Sequence, residues 1–199
     1  MANPNPAVKQ SDEELITAFQ QGHLEAFNIL VGRHKNQLMN YLFRYLGDYD
    51  QADDVLQETF IRVYRKKEFY KPIAKFTTWL YTIATNLAKT QISRRKRYLF
   101  FSKSKRNETR PEEAFDIPDQ HASTDTLADS MLKQKIIQEA LDSISPKYRE
   151  VVILCDVQEL SYEEICKITG LNIGTVKSRL NRGREKLKVL LKDIVDELR

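Results

Sequence analysis

The feature that most constrains the fold is a long polar segment, residues 102–130, which separates two helical halves of the chain. The segment contains two prolines and no apolar periodicity, which is typical of a linker rather than of a packed element. On both sides of it apolar residues recur at helical spacing, and no alternating strand pattern is found. The sequence therefore predicts an all-α protein with two small helical domains, residues 1–101 and 131–199, joined by a flexible linker.

Caps and glycines predict where the helices begin and end. Ser11 followed by Glu14 is a capping box that starts the first helix, and Ser161 with Glu164 repeats the motif in the second half. Glycines, which readily adopt a left-handed conformation, are expected to end helices at Gly22, Gly47 and Gly170. After the first helix, the predicted helices span residues 23–46, 48–67, 76–97, 132–143, 146–158, 162–169 and 173 to near the C-terminus.

Composition limits the class of protein without identifying a partner. The formal net charge is +4 and the pI about 8.9, so contact with nucleic acid must come from clustered rather than overall charge. The first residues contain no apolar segment of the kind found in a secretory signal, and no apolar run reaches the length of a membrane span. We therefore expect a cytoplasmic protein without membrane insertion.

The side chains that usually carry catalysis are few and scattered. His23, His34 and His121 lie far apart in sequence, and there is no glycine-rich phosphate loop. Cys155 and Cys166 have no ligand at metal-binding spacing, so both are expected to be reduced thiols, with Cys166 at a close helix crossing. We expect no enzyme activity, no metal and no cofactor; a metal-dependent nuclease is the enzyme alternative.

The stretch SYEEICKITGLNIGTVKSRLNRGREKL, residues 161–187, predicts a helix-turn-helix. The second helix has an apolar side and, opposite to it, short polar side chains and arginine flanked by lysines, a pattern that suits a DNA major groove. An ordinary helical hairpin with a solvated basic face is the alternative. The predicted inward positions are Ile173, Val176, Leu180 and Leu187. The predicted DNA contacts are Thr175, Lys177, Ser178, Arg179, Asn181 and Arg182.

The fourth helix and the loop before it combine aromatic, threonine and basic residues. This mixture suits single-stranded nucleic acid, because bases stack on aromatic rings for about 1–3 kcal/mol each and lysines neutralise phosphates. We expect Phe76 and Leu80 to be buried, and Tyr70 and Asn86 to be available. A polar stripe comprises Thr78, Thr82, Thr85 and Lys89. The candidate contacts are Lys67, Phe69, Tyr70, Lys71, Lys75, Thr78, Thr82, Asn86, Lys89, Arg94 and Arg95.

The third helix is expected to present an acidic face with an apolar residue in its middle. Such a face is unsuited to DNA and fits docking to a basic or mixed protein surface, although a solvated surface face is the alternative. The face comprises Asp53, Asp54, Gln57, Glu58 and Ile61. The predicted inward positions are Ala52, Val55, Leu56, Thr59, Phe60 and Val63.

Three stretches together closely resemble the extracytoplasmic-function sigma factors, the two-domain group IV members of the bacterial sigma-70 family. They are DDVLQETFIRVYRK, FTTWLYTIATNLAK and LSYEEICKITGLNIGTVKSRLNRGREKL. The resemblance implies that the first domain, region 2, docks on the β′ clamp helices of RNA polymerase and opens the promoter −10 element. It also implies that the second domain, region 4, sits on the β flap and reads the −35 element. Control by an anti-sigma factor and a role in stress responses are implied as well.

The resemblance also assigns roles by position. The loop at residues 67–75 would hold a flipped non-template base, with Tyr70 lining its pocket, and Asn86 would act in −10 recognition and melting. The polymerase-docking face would comprise Asp53, Asp54, Gln57, Glu58, Ile61 and Arg62. The matches to −35 contact positions are Lys177, Ser178, Asn181 and Arg182.

The main alternative is a free-standing helix-turn-helix regulator whose first helices form a dimerisation or ligand domain. The fourth helix argues against it, because a repressor has no use for strand-opening aromatics. The linker points the same way: as a flexible coil it spans about 30 Å, whereas the two promoter elements lie about 85 Å apart at 3.4 Å per base pair. We therefore expect polymerase to set the spacing, and the chain alone to bind promoters weakly.

Overall fold

The computed structural model describes residues 10–103 and 124–197, and within these ranges the chain is helical and contains no strand. The predicted all-α class is confirmed. The α-helices are α1 (Asp12–Gln20), α2 (Leu24–Leu46), α3 (Tyr49–Arg65), α4 (Phe76–Lys103), α5 (Thr124–Ser143), α6 (Pro146–Val152), α7 (Tyr162–Thr169) and α8 (Ile173–Glu197). A short 3₁₀ turn (Lys67–Phe69) precedes α4, and a π-helical turn (Ile153–Val157) continues α6.

The first domain consists of α1 to α4, with α2 packed against the other three helices. Its start is fixed by the predicted capping box: Ser11 Oγ accepts a hydrogen bond from the Glu14 amide at 3.2 Å, and Glu14 Oε2 accepts one from the Ser11 amide at 2.8 Å. Gly47 ends α2 with φ 70°, as expected for a glycine cap. The core is filled by the apolar faces of these helices, including Leu15, Leu30, Leu38, Leu42, Val63, Phe76 and Leu80.

The second domain consists of α5 to α8, in which α8 packs against α5, α6 and α7. The second predicted capping box is also present, since Ser161 and Glu164 exchange hydrogen bonds of 2.9 and 3.2 Å at the start of α7. Gly170 ends α7 with φ 73°, which turns the chain into α8. These two helices form the predicted helix-turn-helix.

The helices beside the linker are longer than predicted. Helix α4 continues to Lys103, and α5 begins at Thr124, whereas the sequence placed the return of helix near Met131. The stretch between Thr124 and Met131 contains no proline or glycine, so nothing in it interrupts a helix that is stabilised further along. Residues 104–123, the rest of the predicted linker, lie outside the described residues, and the domain limits stay a prediction.

The two domains pack against each other. Helix α7 lies along α4, and α5, α6 and the π-helical turn contact α2. A sequence pattern that repeats within single helices gives no sign of this packing, because it depends on residues about a hundred positions apart. The contact determines which of the predicted site residues are accessible.

Candidate nucleic-acid and polymerase interface

The acidic face of α3 is accessible along its length. Asp54 and Gln57 are exposed, Asp53, Glu58 and Arg62 are half-buried, and the Ile61 side chain is 43% exposed in their midst. Hydrogen bonds between side chains four residues apart hold the face in place. Gln57 Nε2 donates to Asp53 Oδ2 at 2.6 Å, and Arg62 Nε donates to Glu58 Oε1 at 2.8 Å. The inward residues of α3 are buried as expected, except that Leu56 is half-buried.

A shallow depression between α3 and α4 extends this face. Its α3 side is formed by Asp54, Val55, Glu58 and Arg62, and its α4 side by Leu87, Thr90, Gln91 and Arg94. Arg94, a candidate for −10 DNA, is therefore placed beside the carboxylates of the predicted polymerase-docking face. A docking partner with both apolar and charged side chains fits this lining better than a strand of DNA does.

The loop before α4 is tied to α1. Gln20 Nε2 donates to the carbonyls of Lys67 and Tyr70, at 2.7 and 3.0 Å. The Lys67 ammonium donates to the Phe19 carbonyl at 2.8 Å and lies 4.4 Å from the Phe19 ring centre. Lys67, expected to meet phosphates, thus has an intramolecular role.

The expectation that Tyr70 is available was wrong. Its side chain is 4% exposed, its hydroxyl donates to the Ala74 carbonyl at 2.8 Å, and its ring lies 5.4 Å from that of Trp79. Burial and the nearby Asp12 and Glu13 raise the pKa of the Tyr70 hydroxyl. The accessible aromatic of the loop is instead Phe69, which is 76% exposed.

Ile73 is a loop residue that the sequence analysis missed. It is 87% exposed beside Pro72, and Lys71 next to them is exposed too. The available signal was an isoleucine that lies outside any helical period, in the loop between two predicted helices. The loop thus presents two exposed apolar side chains, Phe69 and Ile73, together with the exposed ammonium of Lys71.

The polar stripe of α4 is less accessible than expected. Thr78 is 6% exposed and Thr85 is fully buried, with its Oγ1 2.8 Å from the Tyr41 hydroxyl. Thr82 is half-buried and donates to the Thr78 carbonyl at 2.7 Å. Asn86, at the edge of the stripe, is exposed as expected. Phe76 and Leu80 are buried as predicted, whereas Arg95 is half-buried.

Helix α8 presents most of its predicted DNA contacts to solvent. Lys177, Ser178, Asn181 and Arg182 are exposed, and Thr175 and Arg179 are half-buried. Val176 and Leu180 are buried as expected. Ile173 was predicted to face inward but is 43% exposed, because it lies in the first turn of α8, beyond the packed part of the helix.

Two residues beside this surface, one before α8 and one on α6, were missed. Asn172 Oδ1 accepts a hydrogen bond from the Thr175 amide at 2.8 Å and so caps α8. An asparagine directly before the first residue of a helix is a common cap, so the sequence could have indicated this role. The nearby guanidinium of Arg182 lowers the pKa of the Tyr148 hydroxyl on α6.

The cysteines are free and half-buried. Cys166 packs against the core. A close helix approach occurs at Gly183, where an added Cβ would lie 2.6 Å from Val152 Cγ2 on α6. Burial and Asp156 raise the pKa of the Cys155 thiol, which disfavours the reactive thiolate.

Two negative observations apply to the described parts of the chain. In residues 10–103 and 124–197, no group of three or more histidine, cysteine, aspartate or glutamate side chains is arranged to hold a metal ion. Among the helices of these same ranges, none combines the length and apolar character needed to cross a membrane.

Family models identify both halves of the fold. Residues 30–98 match the model of sigma-70 region 2, and residues 134–187 match that of sigma-70 region 4. The first match runs from α2 into α4, and the second from α5 into α8. The helices that carry the candidate interface are thus those of a sigma factor of RNA polymerase.

Curated relatives extend the similarity over nearly the whole chain. The ECF RNA polymerase sigma factor SigE of Mycolicibacterium smegmatis is 36% identical over 91% of this chain and 69% of its own length. SigW of Bacillus subtilis, also an ECF RNA polymerase sigma factor, is 33% identical over 90% of this chain and 96% of its length. The chain therefore belongs to the ECF sigma factors, which direct RNA polymerase to promoters for transcription initiation.

A solved structure shares the arrangement of helices. The sigma factor RpoE from Bartonella quintana, in complex with the anti-sigma factor NepR, superposes with a TM-score of 0.68 at 28% identity. The match covers 83% of this chain and 96% of that chain. Family membership favours a sigma factor over the free-standing regulator considered from the sequence.

Proposed function

We propose that the chain recognises a promoter at two places and opens the upstream edge of the bubble by capturing an unstacked base. It acts in the cytoplasm as a specificity subunit of polymerase and not as a catalyst. The observation that carries this proposal is the exposed loop before α4, where Phe69 stands beside Lys71 and leads into the helix that bears the exposed Asn86.

Capture of an unstacked base at the −10 element requires a surface on which the base can stack and a cation for the phosphate. Extruding a base costs a few kcal/mol, and stacking on an aromatic ring returns about 1–3 kcal/mol. Phe69 provides the ring, Lys71 neutralises a phosphate, and Asn86 offers both a donor and an acceptor to a base edge. Tyr70, which the resemblance assigned to the pocket, stabilises the loop from its buried side.

At the −35 element, α8 enters the major groove. Arg182 carries the planar donor pair that reads guanine, and Lys177 lies where it can meet the phosphates.

The acidic face of α3 is proposed to dock on polymerase, at the β′ clamp helices, while the second domain sits on the β flap. The face surrounds an exposed apolar residue, Ile61, with charged neighbours, which is the composition of a protein interface. Since the similar Bartonella factor is described with an anti-sigma factor, we propose that an anti-sigma factor also controls this chain.

Run-off transcription with bacterial core polymerase, the purified chain and a library of promoter fragments tests the proposal. We expect promoter-dependent transcripts only when the chain is present, and migration of the chain with core polymerase on gel filtration. Binding of a promoter without core at nanomolar affinity, together with no transcript, would instead indicate a free-standing regulator.

Single substitutions should separate the two recognition steps. We expect Phe69→Ala and Asn86→Ala to reduce permanganate reactivity in the −10 region about tenfold or more, since about 1.4 kcal/mol of base contact is lost. Arg182→Ala should weaken protection of the −35 element and leave opening of the bound fraction unchanged. Lys192→Ala, an exposed cation further along α8, is the matched control. Equal loss in both assays for all three variants would refute the division of labour.

A further inference from the structure

Helix α1 lies against the loop before α4 and holds the short turn that carries Phe69. Gln20 Nε2, at the end of α1, donates to the Lys67 carbonyl at 2.7 Å and to the Tyr70 carbonyl at 3.0 Å. The Lys67 ammonium donates in return to the Phe19 carbonyl at 2.8 Å. The two carbonyls that Gln20 binds flank Phe69 in sequence, so a single side chain holds the turn on both sides of the exposed ring.

The side-chain amide of Gln20 matches these two acceptors. Its nitrogen carries two hydrogens, one for each carbonyl. The Lys67 carbonyl also accepts a hydrogen bond from the Tyr70 amide at 3.1 Å, so both of its lone pairs are in use. Gln20 is half-buried, which protects its bonds from competing water. The turn is therefore held in one shape before a partner arrives.

Helix α1 is a rigid support for the loop, because its own position is fixed by the core. Leu15 and Ile16 are fully buried. At the start of the helix, Asp12 contacts two side chains of α2: its Oδ1 lies 2.9 Å from Arg33 Nη1, and its Oδ2 lies 2.7 Å from His34 Nε2. A side chain on this helix can thus hold a loop without moving with it.

The same helix holds the far end of the loop. The Phe76 amide, where α4 begins, donates to Glu13 Oε1 at 2.9 Å. Glu13 and Gln20 are seven residues apart, which places them two turns apart on one face of α1, separated by about 10 Å along the helix. Helix α1 therefore supports the loop at both of its ends.

The bonds from Gln20 also bear on which of two adjacent rings faces solvent. Tyr70, whose carbonyl Gln20 binds, is 4% exposed, with its ring 5.4 Å from that of Trp79. Phe69, the residue before it, is 76% exposed. Fixing the backbone at Tyr70 keeps one ring inward and the other outward. A loop that is fixed in advance loses less conformational entropy when it binds a base.

We propose that Gln20 is a positioning residue for strand capture: by binding the Lys67 and Tyr70 carbonyls, it keeps Phe69 turned toward the unstacked base. The inference rests on the proposed role of the loop at the −10 element. Gln20 acts through the loop and does not itself touch DNA. Its removal should therefore slow promoter opening and leave binding of the duplex promoter unchanged.

The chain contains a natural probe of the loop, since Trp79 is its only tryptophan and packs against Tyr70. Gln20→Met removes both donors and keeps the length of the side chain. We expect it to shift the Trp79 emission to longer wavelength and to raise quenching by acrylamide, because Tyr70 no longer covers the indole. Gln21→Met, at the exposed glutamine next to it, is the matched control and should change neither. Unchanged fluorescence in Gln20→Met would overturn the inference.

A double-mutant cycle with Phe69 tests the effect on opening in the holoenzyme. The assay is the rate of promoter opening at saturating holoenzyme, on the strongest promoter found with the run-off library. We expect Gln20→Met to lower this rate about fivefold and Phe69→Ala to lower it about tenfold. Affinity for the closed promoter should change less than about twofold. The double variant should open no more slowly than Phe69→Ala alone, because Gln20 acts only through that ring.

The outcomes separate this inference from the proposed function. Multiplied effects, about fiftyfold in the double variant, would mean that Gln20 acts independently of Phe69 and would overturn the inference. A loss in Phe69→Ala without a loss in Gln20→Met would overturn it too and leave the proposed function intact. No loss in Phe69→Ala, or no promoter in the library, would refute both. If Gln20→Met does not fold, Gln20→Asn, which carries the amide on a shorter side chain, undergoes both assays with the same expected directions.

Discussion

Gly183 is the residue at which the DNA-reading helix comes closest to its support. An added Cβ would lie 2.6 Å from Val152 Cγ2 and 3.5 Å from the Tyr148 carbonyl oxygen. Val152 is buried, so it has little room to move away. Because Arg182 and Arg184 flank the glycine, its contact with α6 also sets the orientation of two exposed cations.

Gly183→Ala should therefore destabilise the protein by about 1–3 kcal/mol, the usual cost of overpacking a core contact. Urea denaturation followed by circular dichroism measures it. Gly174→Ala is the control in the same helix: its nearest neighbour would be Asn172 Oδ1 at 3.6 Å, and alanine gains up to about 1 kcal/mol of helix propensity. If the two alanine variants were equally stable, the close crossing would not constrain the domain.

For single residues, the sequence predicted which kinds of side chain the site contains better than it predicted which of them are accessible. Phe69 and Tyr70 are adjacent aromatics in a basic loop, and either could stack on a base. Their difference arises from Gln20 on α1, which holds the Tyr70 carbonyl, and from Trp79 on α4, which covers its ring. The contact with Gln20 joins residues 50 positions apart, and no local pattern indicates it.

Helix α4 depends on α1 for its N-terminal cap. The Phe76 amide, in the first turn of α4, donates to Glu13 Oε1 at 2.9 Å, a contact across 63 residues of sequence. The carboxylate satisfies one of the free amides of the turn and interacts favourably with the positive end of the helix dipole. The exposed loop before α4 is consequently fixed at both ends.

Glu13→Ala should cost about 1 kcal/mol of stability, as is usual for the loss of a helix cap. It should also speed amide hydrogen exchange in the first turn of α4 and in the loop. The first effect is measured by thermal unfolding and the second by exchange mass spectrometry. Glu25→Ala, an exposed glutamate in the first turn of α2, should affect neither region. Unchanged exchange in the loop would contradict the capping role.

Helix boundaries were predictable where the signal is local. Both capping boxes and the glycine ends at Gly47 and Gly170 occur where the sequence placed them, because each involves residues only a few positions apart. The start of α5 was missed since the polar residues after Thr124 resemble a linker. The cap from Glu13 was missed since its partner lies on another helix.

The packing of the two domains against each other should depend on pH through Glu150. Burial raises the pKa of this carboxyl above its ordinary value, although Lys89 and Arg179 oppose the shift, and Tyr41 and Tyr45 face it from α2. The packed arrangement therefore binds the proton more tightly than separated, hydrated domains do. This contribution to the packing is present below the ordinary pKa of a glutamate and is lost as pH rises through the raised pKa of Glu150.

X-ray scattering between about pH 5 and 8 should thus show a radius of gyration that increases with pH. Glu150→Gln should flatten this dependence. Glu164 contributes in the opposite direction, because its bond to Lys75 lowers the pKa of the Glu164 carboxyl and is lost as pH falls. Since the Lys75 side chain is 71% exposed and solvent screens its pair with Glu164, we expect Glu150 to dominate. Identical curves for the parent and Glu150→Gln would contradict the assignment.

For the whole molecule, the sequence indicated two domains and left their packing open. The helix-turn-helix and the acidic face of α3 follow from periodicity within one helix or two. The contact between Tyr81 and Gln158 does not, because the two residues belong to different halves of the chain and lie 77 positions apart.

The contact between the two domains has a consequence for modular engineering. Exchanging second domains between relatives is attractive as a route to chimeras with new promoter preferences. Here such an exchange would also replace Glu150, Gln158 and Glu164, which match Lys89, Tyr81 and Lys75 across the junction. A graft that lacks these partners would yield a factor whose domain packing, and not only its target sequence, has changed.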